Sequence, residues 1–363
     1  MKLRINAFLL PICVLGMLTT SGAFADAVEQ DVTIVGSIKH TLNPSHIPSY
    51  ANPDVAARGK VIQLLKVELS DEEKALLKSR ANDASKGLRS FKAAATSEFP
   101  TKIQLGMKGV PVLDQGMHGT CVTFAVTGAL DAEMNKGDYV SQVCNLQLGT
   151  YLENHGYGYS GWNGSFAADV VNQIEQYGIV NKKKQKKKGC GGLTEYPAYS
   201  THKSSSYMDP EQFKSMSELV FGKELSWLNV YNKKDPKITL NEVKRAINQQ
   251  NRLTFGVLLP RVDLGEAGAV GKHNTWLYKD TWVLTPEILK GVDSVEAGHE
   301  MIITGYDDHA VAVDNHGVKH KGLLTLRNSW STAVGDNGEF YMSYDYFKLL
   351  AIEVTQFSPY SAQ

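Results

Sequence analysis

The chain has 363 residues, more than one small core requires and suited to two or three units. Lys+Arg and Asp+Glu balance at 38 each, which speaks against a general nucleic-acid or membrane-surface binder. A hydrophobic content of 42% with 9% aromatic residues belongs to a chain that buries a globular core.

Lys2 and Arg4 precede an apolar run from Phe8 to Leu18, and Ala23-Phe24-Ala25 supplies a small-x-small cleavage motif. This predicts a secretory signal over residues 1–25 and a secreted or periplasmic product. The run is shorter than the roughly 20 residues a bilayer span needs, and no later segment is apolar enough, so no membrane association is expected once the signal is removed. Cys13 sits inside the run rather than at its cleavage site, which argues against lipidation. Cleavage leaves Cys121, Cys144 and Cys190, an odd count that suggests one pair and one free thiol in a compartment where disulfides persist.

Residues 26–99 read as a small separate unit. Val32-Thr33-Ile34-Val35 and Val61-Ile62-Gln63-Leu64-Leu65 are β-prone and able to pair, with the turn-rich "NPSHIPSYANPD" between them. Ser70 and Glu73 form a capping box, from which Leu76, Leu77 and Ala81 continue a helical face to about Leu88. Lys92 to Phe99, "KAAATSEF", reads as a linker open to proteolysis.

Residues 101–225 read mainly as helix. Val126, Leu130 and Met134 recur every four residues in a helix from Cys121 to Asn135. Val170, Val171 and Ile174 face inward on another from Phe166 to Tyr177, closed by Gly178. The lysine run from Asn181 to Gly192 reads as a solvated loop, with a polyanion-binding patch or a processing site as alternatives. Thr201 to Pro236 reads as a polar surface insertion. From Leu253 onward "RLTFGVLL", "HEMIITGYDD", "GLLTLRNSW" and "GEFYMSYDYF" read as strands, giving an α+β chain with a helical and a β half and a binding cleft between them.

Cys121 follows Gly116, Gly119 and Thr120 and opens the apolar helix. A helix start favours a thiolate through its unpaired N–H groups and dipole, so this is where a nucleophilic thiol would stand; a buried structural cysteine or a disulfide half is the alternative. His299 follows a glycine at the start of an apolar strand, and Asn328 closes another, two residues before Trp330. His309, His316 and His320 flank a turn and read as exposed loop residues rather than a metal site, and no cofactor motif is present.

Together these segments resemble the papain-like cysteine peptidases. Gln115-Gly116 with Gly119, Cys121 and Phe124 is similar to that family's nucleophile segment, and Gly298-His299 before "ITGYD" to its histidine segment. Asn328-Ser329-Trp330 with Gly335, Asn337-Gly338 and Phe340 is similar to its asparagine segment. Trp162-Asn163-Gly164, Tyr177-Gly178-Ile179 and Tyr196-Pro197 fall between them in the family's order, so the likeness spans about Gly106 to Tyr346.

The resemblance implies a two-lobed fold over residues 100–363, a helical left lobe to about 225 and a β-barrel-like right lobe from 226, preceded by a pro-domain over 26–99 that covers the cleft. It implies Cys121 as nucleophile, His299 as its acid–base partner and Asn328 as the group that orients the imidazole. Gln115 and the Cys121 N–H would hold the oxyanion, Trp330 would shield the His–Asn bond, and Asn163 and Gly164 would line the substrate cleft. His118 and Trp162 stand where the family has a disulfide, and the resemblance leaves Cys144 and Cys190 to bond to each other and Cys121 free. The implied activity is a secreted endopeptidase acting on proteins or peptides, without metal, cofactor or nucleic acid. A thiol acyltransferase on the same three residues and a silent binding module of the same fold are the alternatives.

Overall fold

The computed structural model describes residues 31–42, 60–87, 98–201, 207–260, 280–314 and 316–361. The predicted signal, the turn-rich stretch after Leu42 and most of the predicted linker lie outside the described residues.

The predicted hairpin and helix are present. Strands β1 (Val32–Leu42) and β2 (Lys60–Leu69) pair antiparallel from Val32 with Leu69 to Leu42 with Lys60. Helix α1 (Asp71–Gly87) starts where Ser70 Oγ accepts the N–H of Glu73 at 3.1 Å, one half of the predicted capping box, while the Ser70 N–H goes to the Asp31 carbonyl at 2.9 Å rather than to Glu73. Its first-turn Glu73 is buried and pairs with Lys233 at 2.8 Å, which ties the helix to the β half.

After the short β3 (Lys102–Gln104), helix α2 (Cys121–Met134) crosses the core, with every residue from Cys121 to Glu133 buried. A helix apolar on all sides belongs in the interior, which its Ala, Val, Phe and Leu content dictates. Glu133 at its end accepts from the backbone N–H of Arg252 at 2.7 Å and from its guanidinium at 3.1 Å, joining the helix to the β half. Helices α3 (Gln142–Asn154), α4 (Ala167–Tyr177), α5 (Lys182–Lys188) and α6 (Pro210–Lys214) complete the helical half. The second predicted helix is thus α4, and the Gly178 N–H closes it on the Ile174 carbonyl at 2.7 Å.

Two expectations for this half need correction. The lysine run is a helix rather than a loop, because Asn181 caps it and Gln185 anchors it inward. Thr201 to Pro236 is also more than a surface insertion: Phe213, Met216 and Val220 are buried, and β4 (Leu225–Asn229) pairs with the last strand.

The β half contains α7 (Pro236–Asn248), which the strand-seeking reading passed over although Asp235-Pro236 carries a start signal; Asp235 accepts the N–H of Lys237 and Pro236 takes the first position. It is followed by β5 (Leu253–Leu258), β6 (Thr281–Trp282), α8 (Pro286–Lys290), β7 (Ala297–Val313), β8 (Lys319–Arg327), β9 (Glu339–Ser343), α9 (Tyr344–Leu350) and β10 (Ala351–Pro359). The strand predicted over "GEFYMSYDYF" therefore stops at Ser343 and turns into helix.

The sheet runs β4-β10-β5-β7-β8-β9-β6, with β2 and β3 added along β7 and β1 on β2. Among the described residues this path is open, with β4 and β6 at its ends, so the expected barrel-like lobe is an open, bulged sheet. The bulges after Ile303 and Asp307 let the long β7 bend and serve several partners. His320 also departs from expectation. It is buried on β8 between Asp314 at 3.1 Å and Asp345 at 2.9 Å. No cluster of metal-ligating side chains occurs among the described residues.

Candidate active site

Four segments converge where the N-terminus of α2 meets the start of β7. Cys121 is the first residue of α2 and is fully buried. Burial pushes its thiol up to about 12, against the backbone N–H of Glu300, while the Glu300 carboxyl pushes in the same direction as burial. The N–H groups of Val122 and Cys121 also favour the thiolate, as a helix start should, but desolvation wins.

His299, third in β7, places Nε2 2.8 Å from Asn328 Oδ1. The same Oδ1 accepts the backbone N–H of Ser329 at 2.7 Å, which fixes the amide's orientation. An oxygen that only accepts requires the proton on Nε2, so Nδ1 carries the lone pair. Nδ1 has no hydrogen-bond partner among the described residues. Burial draws the imidazole down to about 4, against the pull of Asn328. Trp330 stacks on the imidazole with ring centroids 4.6 Å apart at 24°. Thiol and imidazole are therefore both neutral in this arrangement, since one titrates far above and the other below pH 7.

Gln115 is held from both ends. Its Oε1 accepts from Ser329 Oγ at 2.8 Å, while Nε2 donates to the carbonyls of His118 and Gln63, each at 2.9 Å. Gln63 belongs to β2, so a carbonyl of the N-terminal hairpin occupies the predicted oxyanion donor. The hairpin reaches both sides of this point. On β7, Leu65 pairs with Gly298 and Lys66 with Ala297. On the helical side, a Cβ on Gly164 would lie 2.7 Å from Ile34 Cγ2 and 3.2 Å from Leu65 Cδ2, and one on Gly119 would lie 2.7 Å from Ser37 Cβ. Only glycine admits so close a chain, and Gly164 also holds a φ of +114°. Asn163, beside Gly119, lies on the same flank.

Lys60 fastens the end of the hairpin. Its buried ammonium meets Asp114 Oδ1 and Oδ2 at 3.1 and 3.0 Å, Tyr199 OH at 2.8 Å and Ser331 Oγ at 3.3 Å. Asp114 itself accepts the N–H of Gly116 at 3.0 Å, so the anchor lies one residue from Gln115.

His118 and Trp162 meet edge to face at 5.1 Å, and both rings pack on Tyr196, whose hydroxyl donates to the Gln115 carbonyl at 2.8 Å. An aromatic cluster thus braces the segment where the resembled family has a disulfide. Cys144 and Cys190 are bonded to each other, and Cys121 is the free thiol among the described residues, as the resemblance implied.

Glu300 stands out in the sequence as a carboxyl directly after His299, but its pairing with Glu353 is not legible there. Its buried carboxyl lies against that of Glu353, and burial raises both well above the ordinary carboxylate range. Glu353 accepts the N–H of Ala167 at 3.1 Å, at the start of α4. The backbone carbonyl of Gln63 was equally hidden, because any residue in β2 would supply the same oxygen.

The arrangement brings a buried thiol, an imidazole oriented by an amide oxygen, and the Gln115 amide together beside the N-terminal hairpin. No protein-family profile matches the sequence, and no curated protein matches it either. Solved structures do. The chain is similar to xylellain, a cysteine protease from Xylella fastidiosa, at 17% identity over 76% of this chain and 93% of that one, with a TM-score of 0.49. It is similar to digestive procathepsin L 3 of Tenebrio molitor larval midgut at 15% identity over 79% of each chain, with a TM-score of 0.42. It is also similar to the bromelain protease of Ananas comosus, solved with the E64 inhibitor, at 15% identity over 72% of this chain and 100% of that one, with a TM-score of 0.43.

Proposed function

We propose that the protein is an exported cysteine endopeptidase of the papain-like type, made as a zymogen whose N-terminal hairpin and helix cover the site. The observation that carries the reading is the 2.8 Å bond from His299 Nε2 to Asn328 Oδ1 under Trp330, with the buried Cys121 thiol held against the N–H of the residue after His299. Once the hairpin leaves, Cys121 passes its proton to Nδ1 of His299 and the thiolate attacks the scissile carbonyl carbon. Gln115 Nε2, freed from Gln63, and the Cys121 N–H donate to the tetrahedral oxyanion. Its collapse breaks the C–N bond, His299 protonates the leaving amine, and a thioester remains on Cys121. Water, deprotonated by His299, hydrolyses the thioester and regenerates the thiol.

Residues 26–99 are the inhibitory segment in this reading, and cleavage between about Ser90 and Thr101 releases it. The Gln63–Gln115 bond and the packing of Leu65 between Gly164 and Gly298 support the inhibitory role. The disulfide between Cys144 and Cys190 supports export to an oxidising compartment. Among the described residues no helix is long and apolar enough to cross a membrane.

The test compares the native chain with Cys121→Ala, each with and without the residues up to Phe99, on a peptide library. New amino termini from the shortened native form alone support the reading. Joined amines instead would identify an acyltransferase. No turnover, with Cys121 no more reactive toward iodoacetamide than a free thiol after shortening, would leave only a silent module.

A further inference from the structure

Six of the seven residues of α5 are lysine, in the sequence Lys-Lys-Lys-Gln-Lys-Lys-Lys. Like charges three and four positions apart weaken a helix, so this segment would not hold one by its own preference. Tertiary contacts hold it. Asn181 caps it through the N–H of Lys184 at 2.9 Å. Gln185, its one buried side chain, accepts from Ser141 Oγ at 2.7 Å and donates to the Thr194 carbonyl at 2.8 Å. Cys190, two residues past the end, is bonded to Cys144 on α3. Lys182 pairs with Asp138, and Lys184 donates to the Met216 carbonyl at 2.7 Å.

These restraints leave Lys183, Lys186, Lys187 and Lys188 exposed, and none of the four pairs with a carboxylate among the described residues. Six of the chain's 38 basic residues stand on this one helix, so the rest of an otherwise neutral chain carries net negative charge. The positive field is therefore local and rigidly mounted. A scaffold that holds repelling charges in place contributes nothing evident to folding, and such local conflict marks function.

The relief around the helix narrows the partner. One face of α5 borders a shallow concavity of about 480 Å³ lined by Lys182, Lys183, Lys186 and Lys187. Beyond its end, Lys188 stands on the rim of a second, about 600 Å³, with Tyr207, Gln212 and Ser215 in its wall. Tyr207 is 47% exposed, and its ring is backed by Tyr151 at 5.7 Å. A row of point charges running into a polar concavity with an aromatic wall suits an extended chain with hydroxyls and anionic groups. A flat bilayer would not enter the concavity, and the helix carries no arginine for the forked contacts that read base edges and phosphates.

We propose that α5 and the concavity beyond Lys188 bind an acidic polysaccharide, its carboxylates or sulfates on the lysines and a sugar ring against Tyr207. The surface lies outside the Cys121 site, and the inference stands whether or not that site is a peptidase.

The test titrates the full chain with heparin and with polygalacturonate, with neutral dextran, duplex DNA and phosphatidylglycerol vesicles as comparisons, at two or more salt concentrations. Binding of at least one acidic glycan is expected, with a salt slope reporting about three to four neutralised charges. Replacing Lys183, Lys186, Lys187 and Lys188 together by Gln, with an unchanged melting temperature, should weaken that binding by at least 100-fold. Tyr207→Ala should weaken it about tenfold while leaving the salt slope as it was. The inference is overturned if neither glycan binds better than dextran, or if the lysine variant binds as the native chain does. It is equally overturned if DNA or vesicles bind as tightly as the glycans and Tyr207→Ala has no effect, because charge alone would then account for the surface.

Discussion

Gln115 Nε2 donates to the backbone carbonyl of Gln63 at 2.9 Å. In the proposed peptidase a substrate carbonyl would need the same donor, so the hairpin would present the site with the group a substrate brings. The next contacts along β2 are ladder bonds to Gly298 and Ala297, which any extended peptide could make. If the hairpin is the proposed cover, it uses backbone recognition, and its hold depends on the few side chains that fasten it.

Lys60 is the clearest of these. Its ammonium is nearly buried, with both oxygens of Asp114 and two hydroxyls around it. Lys60→Met keeps the stem and removes the charge, leaving Asp114 with Tyr199 and the Gly116 N–H. Because Asp114 is partly open to water, the loss should be modest, about 1–2 kcal/mol. That corresponds to roughly a tenfold larger population with the hairpin lifted. Iodoacetamide should alkylate Cys121 about tenfold faster in this variant at the same pH. An unchanged alkylation rate would show that Lys60 does not fasten the hairpin.

Acid and base act on the covered state in opposite directions. His299 holds its proton more weakly in the folded chain, with a pKa of about 4 against 6.5. Its contribution is therefore complete above pH 6.5 and lost as pH falls toward 4, a leg of roughly 3 kcal/mol at most. Glu300 and Glu353 hold their protons more strongly, through burial and each other. Their contribution is complete below the ordinary carboxylate range and is lost as pH rises above it. The two legs offset one another in mildly acidic solution. Glu300→Gln with Glu353→Gln keeps an acceptor for Ala167 and removes the second leg. The melting temperature of that variant should climb more steeply between pH 4 and 6.5 than that of the native chain, and parallel curves would show that the carboxyl pair is not the opposing group.

How much of this was legible in the sequence follows from what each feature depends on. His299, Asn328 and Trp330 do come together, and what singled them out with Cys121 was the order of four short segments resembling one family, since each residue alone reads as structural. The hairpin and α1 were equally readable, because β-prone runs and a capping box are local signals. The lysine helix was not, since beyond its local cap Asn181 and the nearby Thr194 its support comes from Ser141 and the Cys144 bridge, both distant in sequence. His320 between two aspartates and Glu300 against Glu353 were hidden for the same reason: burial is a property of the assembled sheet. The open sheet escaped notice because strand count alone does not say whether the ends meet.

In the proposed mechanism Asn328 acts through His299 rather than on a substrate, since its oxygen already holds Nε2 and the Ser329 N–H. Asn328→Ala would free the imidazole to rotate and expose the other tautomer, while Trp330 still covers the ring. In the shortened enzyme kcat should fall about 100-fold, as expected when a reacting group loses its position, with KM little changed. The pH profile should also shift on its acid side, because the hydrogen bond that raises the imidazole's affinity for a proton is gone. A fall in KM-dependent binding alone, with kcat and the profile intact, would remove Asn328 from this role.

The bond between Cys144 and Cys190 ties α3 to the turn after α5 and closes a loop of 46 residues. Cross-linking such a loop restricts the unfolded chain by about 4 kcal/mol in the chain-entropy account. Both cysteines are buried among Val143, Leu148, Val180 and Phe213, so Cys144→Ala with Cys190→Ala adds a small packing loss to the entropic one. Denaturant unfolding of the double variant should show a loss of about 4–5 kcal/mol with no change in the alkylation rate of Cys121, because the bridge lies in a separate cluster of the core. The lysine face should be affected as well: if the bridge is what mounts α5, acidic-glycan binding weakens in the double variant while peptide hydrolysis by its folded fraction does not. Equal losses of both would mean that the bridge supports the helical half as a whole rather than the lysine helix in particular.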